Sequence, residues 1–197
     1  MKEILIATGN AHKVEEFKEM LEPMGYTVKS MKDLKEPIEI DETGTTFEEN
    51  SMIKAMTLHK ALGCAVMADD SGLMVDAMDG APGVYSARFM GEDTSYDIKN
   101  QYIIDQVKGK ERGAQFVCVI AYVESDGTQN IFKGIVRGEI NDQILGKNGF
   151  GYDPIFYYPP YKTTMANVTD EMKHAVSHRG IALRECVKYM KGKENHD

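Results

Sequence analysis

The chain has 197 residues, 42% of them hydrophobic, and a formal net charge of −8 at pH 7, which is an ordinary composition for a soluble globular domain. The negative charge argues against a broad nucleic-acid surface, and no apolar run approaches the roughly 18 residues of a membrane helix. Because the N-terminus also lacks a signal-peptide pattern, we expect no nucleic-acid or membrane partner and a cytoplasmic location.

The chain opens with a predicted strand, loop and helix. An apolar run at residues 4–7 is followed by the sequence TGN and then by apolar residues at helical spacing. A helix start directs backbone amides at whatever lies there, and a hydroxyl and the Lys13 ammonium add further donors. A phosphate group suits this arrangement, although a capped helix with a surface lysine explains it equally well.

A second strand and helix follow, separated by an acidic stretch. Residues 26–31 alternate like a strand. Either Thr45 or Thr46 can cap a helix that reaches about residue 62. The stretch between them contains Asp41 and Glu42. Carboxylates on short stems are ligands that Mg²⁺ takes, although charged turns are common.

Two adjacent aspartates come next. A strand over residues 64–68 is predicted to end at Asp69 and Asp70, with residues 73–78 as its hairpin partner. Neighbouring strand residues point to opposite faces, so both carboxylates can aim at one point only where the strand ends. We interpret one as the functional group and the other as an anchor hydrogen-bonded to loop amides.

The second half adds further helices and a hairpin. A helix is predicted over residues 94–107, and strands over 115–124 and 130–140 form a hairpin. A glycine-rich loop follows, and Ser177 can cap a final helix. Strand–helix units together with hairpins predict an α/β fold with a mixed sheet.

Two later segments concentrate groups suited to a ligand. The glycines of GFGYDP let backbone approach a ligand and its aromatic rings offer stacking faces, although loop-closing core aromatics are the alternative. Lys173 and the sequence SHR gather cations at a helix start, where the helix dipole favours anions. This suggests that a ligand keeps them there, and a solvated face with a satisfied histidine is the alternative.

Five segments occur in order: TGN-x-x-K, ETG-x-TF-x-EN, ADDSGL-x-VDA-x-x-GAPGVYSARF, GFGYDPIF and K-x-x-x-SHRG. Together they resemble the inosine triphosphate pyrophosphatases, or house-cleaning non-standard purine nucleotidases, over residues 4–183. The resemblance implies a single domain over residues 1–197, with two lobes around a long mixed sheet flanked by helices. It also implies a homodimer and Mg²⁺-dependent cleavage of ITP, dITP or XTP to the monophosphate and pyrophosphate.

The resemblance further implies roles for individual residues. Asp70 is implied as the catalytic proton acceptor and, with Glu42, as a metal ligand, while Asp69 is interpreted as a supporting carboxylate. The implied substrate-binding residues are Thr8, Gly9, Asn10, Ala11, His12 and Lys13 at the phosphate end, the substrate-contacting Ser71, and Phe150, Gly151, Tyr152, Asp153, Lys173, His178 and Arg179 at the base end.

Two other functions are open on the sequence. A related pyrophosphatase for modified pyrimidine or other nucleotides would share the phosphate end, and rates on a panel of triphosphates separate it. A nucleotide sensor without turnover would not need an activated water, so the carboxylate set speaks against it. A protein-interaction module is the weakest alternative, because the chain has no recognisable docking motif.

Overall fold

The computed structural model describes residues 2–196 and contains seven strands and five helices within them. The strands are β1 Lys2–Ile6, β2 Tyr26–Ser30, β3 Val66–Val75, β4 Gly113–Val123, β5 Gln129–Ile140, β6 Phe156–Tyr158 and β7 Thr163–Thr164. The helices are α1 Ala11–Leu21, α2 Phe47–Leu62, α3 Tyr96–Gln106, α4 Asp170–Val176 and α5 His178–Glu194. Within residues 2–196, no helix has the length and apolar character needed to cross a membrane.

The strands form one mixed sheet in the order β2-β1-β3-β4-β5-β6-β7. Strand β1 pairs in parallel with β2 and with β3, whereas β6 pairs antiparallel with both β5 and β7. Parallel neighbours need crossover connections, which α1 and α2 provide, and antiparallel neighbours need only turns. The predicted α/β class with a long mixed sheet is confirmed.

The chain divides into two compact units. The first consists of the chain up to Asp70, Cys118–Gly134 and the chain from Arg179 onwards. Its larger apolar cluster combines strand, α1 and α5 side chains, among them Ile6, Phe17, Met67, Ile120 and Leu183. The second unit consists of Ser71–Val117 and Ile135–His178, and its core includes Leu73, Val75, Ile103, Ile155 and Phe156. That both units form one domain stays a prediction.

Helix α2 begins and ends where its sequence indicates. The Thr46 side chain accepts a hydrogen bond from the Glu49 backbone N–H at 3.1 Å, which caps the first turn. Gly63 adopts φ 69° and closes the last turn, a left-handed conformation that glycine reaches without steric cost. These two signals position the helix that carries Lys54.

The predicted hairpin after Asp70 is wrong. Strand β3 continues through both aspartates to Val75, and only Met74 makes an isolated bridge, with Pro82. Leu73 and Val75 are fully buried, and the hydrogen-bonded neighbours of β3 in the sheet are β1 and β4, so a hairpin partner at residues 73–78 is not needed. Asp70 therefore lies within a rigid strand, and the predicted flexible turn after it does not exist.

The glycine-rich region contains structure that the sequence analysis missed. Strands β6 and β7 form a short antiparallel pair, and Thr169 caps helix α4 by accepting a hydrogen bond from the Met172 backbone N–H. In α3, which lies within the predicted range 94–107, Ile103 is buried and Ile98 is exposed. Short elements of two or three residues lack a resolvable period, which is why their pattern gives no signal.

Candidate active site

The start of α1 lies at the surface, and its own side chains cap several of its first backbone amides. The Asn10 side chain accepts hydrogen bonds from the backbone N–H groups of His12 and Lys13, and the Thr8 hydroxyl accepts one from the Asn10 N–H. A side chain at Gly9 would meet no atom within 4 Å, so the protein's own packing does not require glycine there. The residues from Gly9 to His12 are exposed, as an anion site at a helix start requires.

Asp69 is buried among cations. Its Oδ2 lies 3.2 Å from the Lys13 Nζ, and the Nε and Nη2 of Arg179 lie 3.4 Å from the same oxygen. Arg179 is also buried, and its Nη1 donates to Glu16 at 2.9 Å. The partners printed for the Asp69 carboxylate are cationic side chains, where loop amides were predicted, and its supporting role stays a prediction.

Asp70 shares a different cation with Glu42. The Lys54 Nζ lies 3.1 Å from Glu42 Oε1 and 3.6 Å from Asp70 Oδ1, and it donates to the Asp69 carbonyl oxygen at 2.9 Å. Successive residues of β3 point to opposite faces, so the neighbouring aspartates reach separate cations. The structure therefore brings together the two carboxylates predicted as metal ligands.

The two aspartates have opposite pKa shifts. Burial alone would raise the pKa of Asp69, but Lys13, Arg179 and Lys54 outweigh it and hold this pKa well below its usual range. Burial raises the pKa of Asp70 to about 6; Lys54 opposes this shift, while Glu42 and Asp69 reinforce it. Asp69 therefore stays charged, whereas the proton affinity of Asp70 suits proton transfer near neutral pH.

The raised pKa predicts a pH-dependent stability for the metal-free protein. A carboxyl whose folded pKa is raised stabilises the fold at low pH, and this contribution is lost as pH rises through about 6. In EDTA at pH 8 we expect the free energy of unfolding of Asp70→Asn to be about 1–3 kcal/mol higher than that of wild type. This difference should vanish near pH 4. Urea unfolding at both pH values measures this, and Asp142→Asn, at an exposed position, serves as the control. A stability gain of equal size at both pH values would contradict the assignment.

The carboxylate pair fits a Mg²⁺ ion by its chemistry. Among residues 2–196, no three His, Cys, Asp or Glu side chains gather as a metal cluster. Mg²⁺ usually binds through one or two carboxylates, with water and substrate phosphate as the other ligands, so Glu42 and Asp70 suffice. The buried Oδ2 of Asp70 has no hydrogen-bond partner among the described residues, which leaves a lone pair for such an ion.

The second unit holds most of the residues predicted for the base. Asp153 accepts a hydrogen bond from the Phe150 backbone N–H at 3.0 Å. It also forms an ion pair with Lys173 at 2.7 Å. The Lys173 ammonium also lies 4.6 Å from the centre of the Phe150 ring. A Cβ at Gly149 would collide with the Asp153 carboxylate, so glycine is needed for this close approach.

Tyr152 and Gly151 are held by α3. The Tyr152 ring packs edge-on against Tyr96, with ring centroids 5.1 Å apart, and Asn100 donates to the Gly151 carbonyl oxygen at 3.1 Å. Tyr152 is buried and its hydroxyl donates to the Ser86 carbonyl oxygen, so its ring serves packing. The His178 ring, in the same unit, stacks on Phe116 at 4.8 Å.

Two features of the site escaped the sequence analysis. Lys54 was not predicted, although the polar Asn50 and Ser51 interrupt the buried stripe of α2 and signal a polar contact there. Arg179 was predicted for the base, yet all three of its guanidinium nitrogens face Glu16 or Asp69. Its role toward a base stays a prediction, as do the other substrate contacts.

Fold and site together define a class. The chain is an α/β protein with an exposed helix start, a buried aspartate paired with cations and a pair of carboxylates that share a lysine. Such a set suits a hydrolase that acts on a phosphate anhydride with a divalent cation.

The chain belongs to the Ham1 family, whose sequence profile matches residues 4–189. It is 45% identical over 194 residues to the dITP/XTP pyrophosphatase of an Exiguobacterium strain, covering 96% of this chain and 99% of that protein. It is 46% identical to the dITP/XTP pyrophosphatase of Bacillus anthracis, covering 94% of each chain. The structure of the Staphylococcus aureus Ham1 protein matches with a TM-score of 0.90 and 42% identity, covering 98% of this chain and 100% of that one. The family predicted from the five motifs is confirmed.

Proposed function

We propose that this protein hydrolyses the non-standard purine nucleotides dITP, XTP and ITP to the monophosphate and pyrophosphate, removing them from the nucleotide pool. The observation that carries the proposal is Asp70, a buried carboxylate with a pKa raised to about 6 that shares Lys54 with Glu42. The family membership and the dITP/XTP pyrophosphatases among the relatives support the substrate class.

The reaction proposed is in-line attack of water on the α-phosphorus. Asp70 accepts a proton from the attacking water, and pyrophosphate leaves with the α–β bridging oxygen. Lys13 and Lys54 neutralise charge on the phosphates, and the exposed segment from Gly9 to His12 at the start of α1 contacts a phosphate oxygen. Asp69 keeps Lys13 in place, since it bonds the Lys13 ammonium from a fully buried position.

Glu42 and Asp70 would hold a Mg²⁺ ion in this proposal. When bound, the ion neutralises phosphate charge and increases the acidity of a coordinated water. The proposal also includes a homodimer in the cytoplasm, as the family resemblance implies. Sedimentation equilibrium of the purified protein measures the oligomeric state.

Base recognition is proposed to rest on the oxygen at position 6. Hypoxanthine and xanthine carry an oxygen there, whereas adenine carries an amino group. The candidate donors are Arg179 and a backbone amide near His178, and the amide is favoured because Arg179 already pairs with Glu16 and Asp69. An amino group would face such a donor with another donor, which leaves buried groups unpaired. Phe150 would stack on any purine without regard to its identity.

The test of the proposed function is the product formed from dITP. The protein is incubated with dITP and Mg²⁺, and the products are separated by ion-exchange chromatography. We expect dIMP and pyrophosphate in equal amounts. Orthophosphate with dIDP would place the cleavage at the β–γ bond and contradict the proposal.

Lys13→Ala should discriminate between ligands by their phosphates. Lys13 is proposed to contact the leaving phosphates, so its loss should weaken binding of dITP by about tenfold or more and of dIMP much less. Calorimetric titration with a non-hydrolysable dITP analogue and with dIMP measures both. Lys18→Ala, a partly exposed lysine on the same helix, is the control. An equal loss for both ligands would remove Lys13 from the phosphate site.

A further inference from the structure

Asn50 lies one helical turn before Lys54 on α2 and is fully buried, at 0% exposure. Its Oδ1 accepts a hydrogen bond from the Gly44 backbone N–H at 2.8 Å. Its Nδ2 has no hydrogen-bond partner among residues 2–196. A buried amide donor without an acceptor costs about 1–3 kcal/mol, so half of this side chain has no structural explanation.

The half that is explained holds the loop that carries Glu42. The Gly44 N–H bonds to Asn50, and the Thr45 N–H bonds to the Glu49 side chain at 3.0 Å, so two bonds fasten this loop to the first turns of α2. A Cβ at Gly44 would lie 2.7 Å from Asn50 Oδ1, so only glycine permits the contact. Because Glu42 is two residues away, Asn50 helps to set its position.

An acceptor that complements the Asn50 donor exists in the same unit. Asp70 Oδ2 is buried and has no hydrogen-bond partner among the described residues, while Oδ1 faces the Lys54 ammonium. Long side chains on a helix extend toward its N-terminus, so the Lys54 ammonium lies over the turn that bears Asn50. Lys54 contacts both Glu42 and Asp70, and Asn50 holds the loop that carries Glu42, so the donor and the acceptor belong to one connected set of contacts.

We propose that Asn50 is a positioning residue for both carboxylates of the site. Its Nδ2 donates to Asp70 Oδ2 through one bridging water, while its Oδ1 holds the Glu42 loop. One amide thereby fixes the orientation of the proposed base and the position of its partner ligand. The inference rests on the proposed function, because that function gives these carboxylates their roles.

Asn50→Asp separates the two halves of the amide. An aspartate keeps the acceptor for the Gly44 N–H and removes the donor toward Asp70. Loss of a group that orients a ligand typically lowers metal affinity or activity about 10–100-fold. We expect kcat for dITP at saturating Mg²⁺ to fall by about tenfold or more while KM changes little, and Mn²⁺ to bind the nucleotide-free protein more weakly.

Mn²⁺ binding gives a readout that a merely structural role would not reproduce. An added carboxylate near the site should strengthen Mn²⁺ binding by simple attraction, so weaker binding requires loss of orientation. Asn100→Asp places an equivalent buried charge in the second unit and should leave Mn²⁺ binding as in wild type. Electron paramagnetic resonance of free Mn²⁺ measures these affinities.

The outcome against the inference is equally definite. Unchanged kcat, or tighter Mn²⁺ binding, in folded Asn50→Asp would overturn it. If that variant does not fold, Asn50→Ser replaces it. We then expect weaker Mn²⁺ binding and lower kcat, and wild-type values of both would contradict the inference. If wild type releases no pyrophosphate from dITP, the proposed function fails, while the nucleotide-free Mn²⁺ titration still decides the role of Asn50.

Discussion

Asp70→Asn should lower kcat for dITP by about 10²–10⁴-fold, because it removes the proposed general base and one anionic ligand of the metal together. Asparagine is nearly isosteric with aspartate, so the strand and the Lys54 contact geometry are retained. Glu42→Gln should also lower activity strongly and raise the Mg²⁺ requirement, since its carboxylate binds metal without accepting the proton. Steady-state rates across a Mg²⁺ titration measure both effects.

The matched control for these variants is Glu39→Gln. Glu39 lies three residues before Glu42 on the same segment and is exposed, so it should show wild-type rates and Mg²⁺ dependence. If Asp70→Asn and Glu42→Gln both keep wild-type rates throughout the titration, neither carboxylate binds the metal. If high Mg²⁺ restores Glu42→Gln fully and Asp70→Asn not at all, the roles are divided as proposed.

Asp69→Asn should destabilise the fold at pH 7 by about 3–5 kcal/mol. The change leaves the guanidinium of Arg179, which is 2% exposed, without one of its carboxylates in a buried position. The pKa of Asp69 is depressed, so its stabilising contribution is present above the pKa of the unfolded chain and is lost as pH falls through the folded value. Urea unfolding at pH 7 measures the loss in free energy.

Asp76→Asn is the control for this stability effect. Asp76 pairs with Arg137 at 2.8 Å, but both side chains are substantially exposed, and such pairs contribute only about 0–1 kcal/mol. Both substitutions remove a carboxylate charge from an arginine, but Asp69 is buried and also pairs with Lys13, whereas Asp76 is substantially exposed. Equal losses for Asp69→Asn and Asp76→Asn would show that Asp69 is not an anchor for Arg179.

Local signals predicted much of the fold. The caps at Thr46 and Gly63 bound helix α2, and the alternating pattern of residues 130–140 marks β5, because both depend on neighbours in the sequence. The hairpin error at residues 73–78 has the same origin. A local turn signal was interpreted without knowing that the strand is buried by residues from elsewhere in the chain.

The site was predicted through motif order, and its internal contacts were not. Asp69 and Arg179 are separated by 110 positions, so no local pattern can pair them. The cation that Glu42 and Asp70 share, Lys54, comes from the side of α2 and becomes visible only when the helix packs on β3. The sequence thus indicates which residue types are present, and tertiary structure decides which cation each carboxylate meets.

The most direct test of the proposed function is kcat/KM for dITP, XTP, GTP and dATP with the wild-type protein and Mg²⁺. A site that depends on a hydrogen bond to the oxygen at position 6 can reject an analogue without it by about 10⁴-fold. We expect kcat/KM to be much higher for dITP and XTP than for GTP. The 2-amino group of GTP is a weaker basis for exclusion than the amino group of adenine at position 6, so kcat/KM for GTP should be no lower than that for dATP. Hydrolysis of dATP as efficient as that of dITP would contradict the proposal that this protein removes non-standard purine nucleotides.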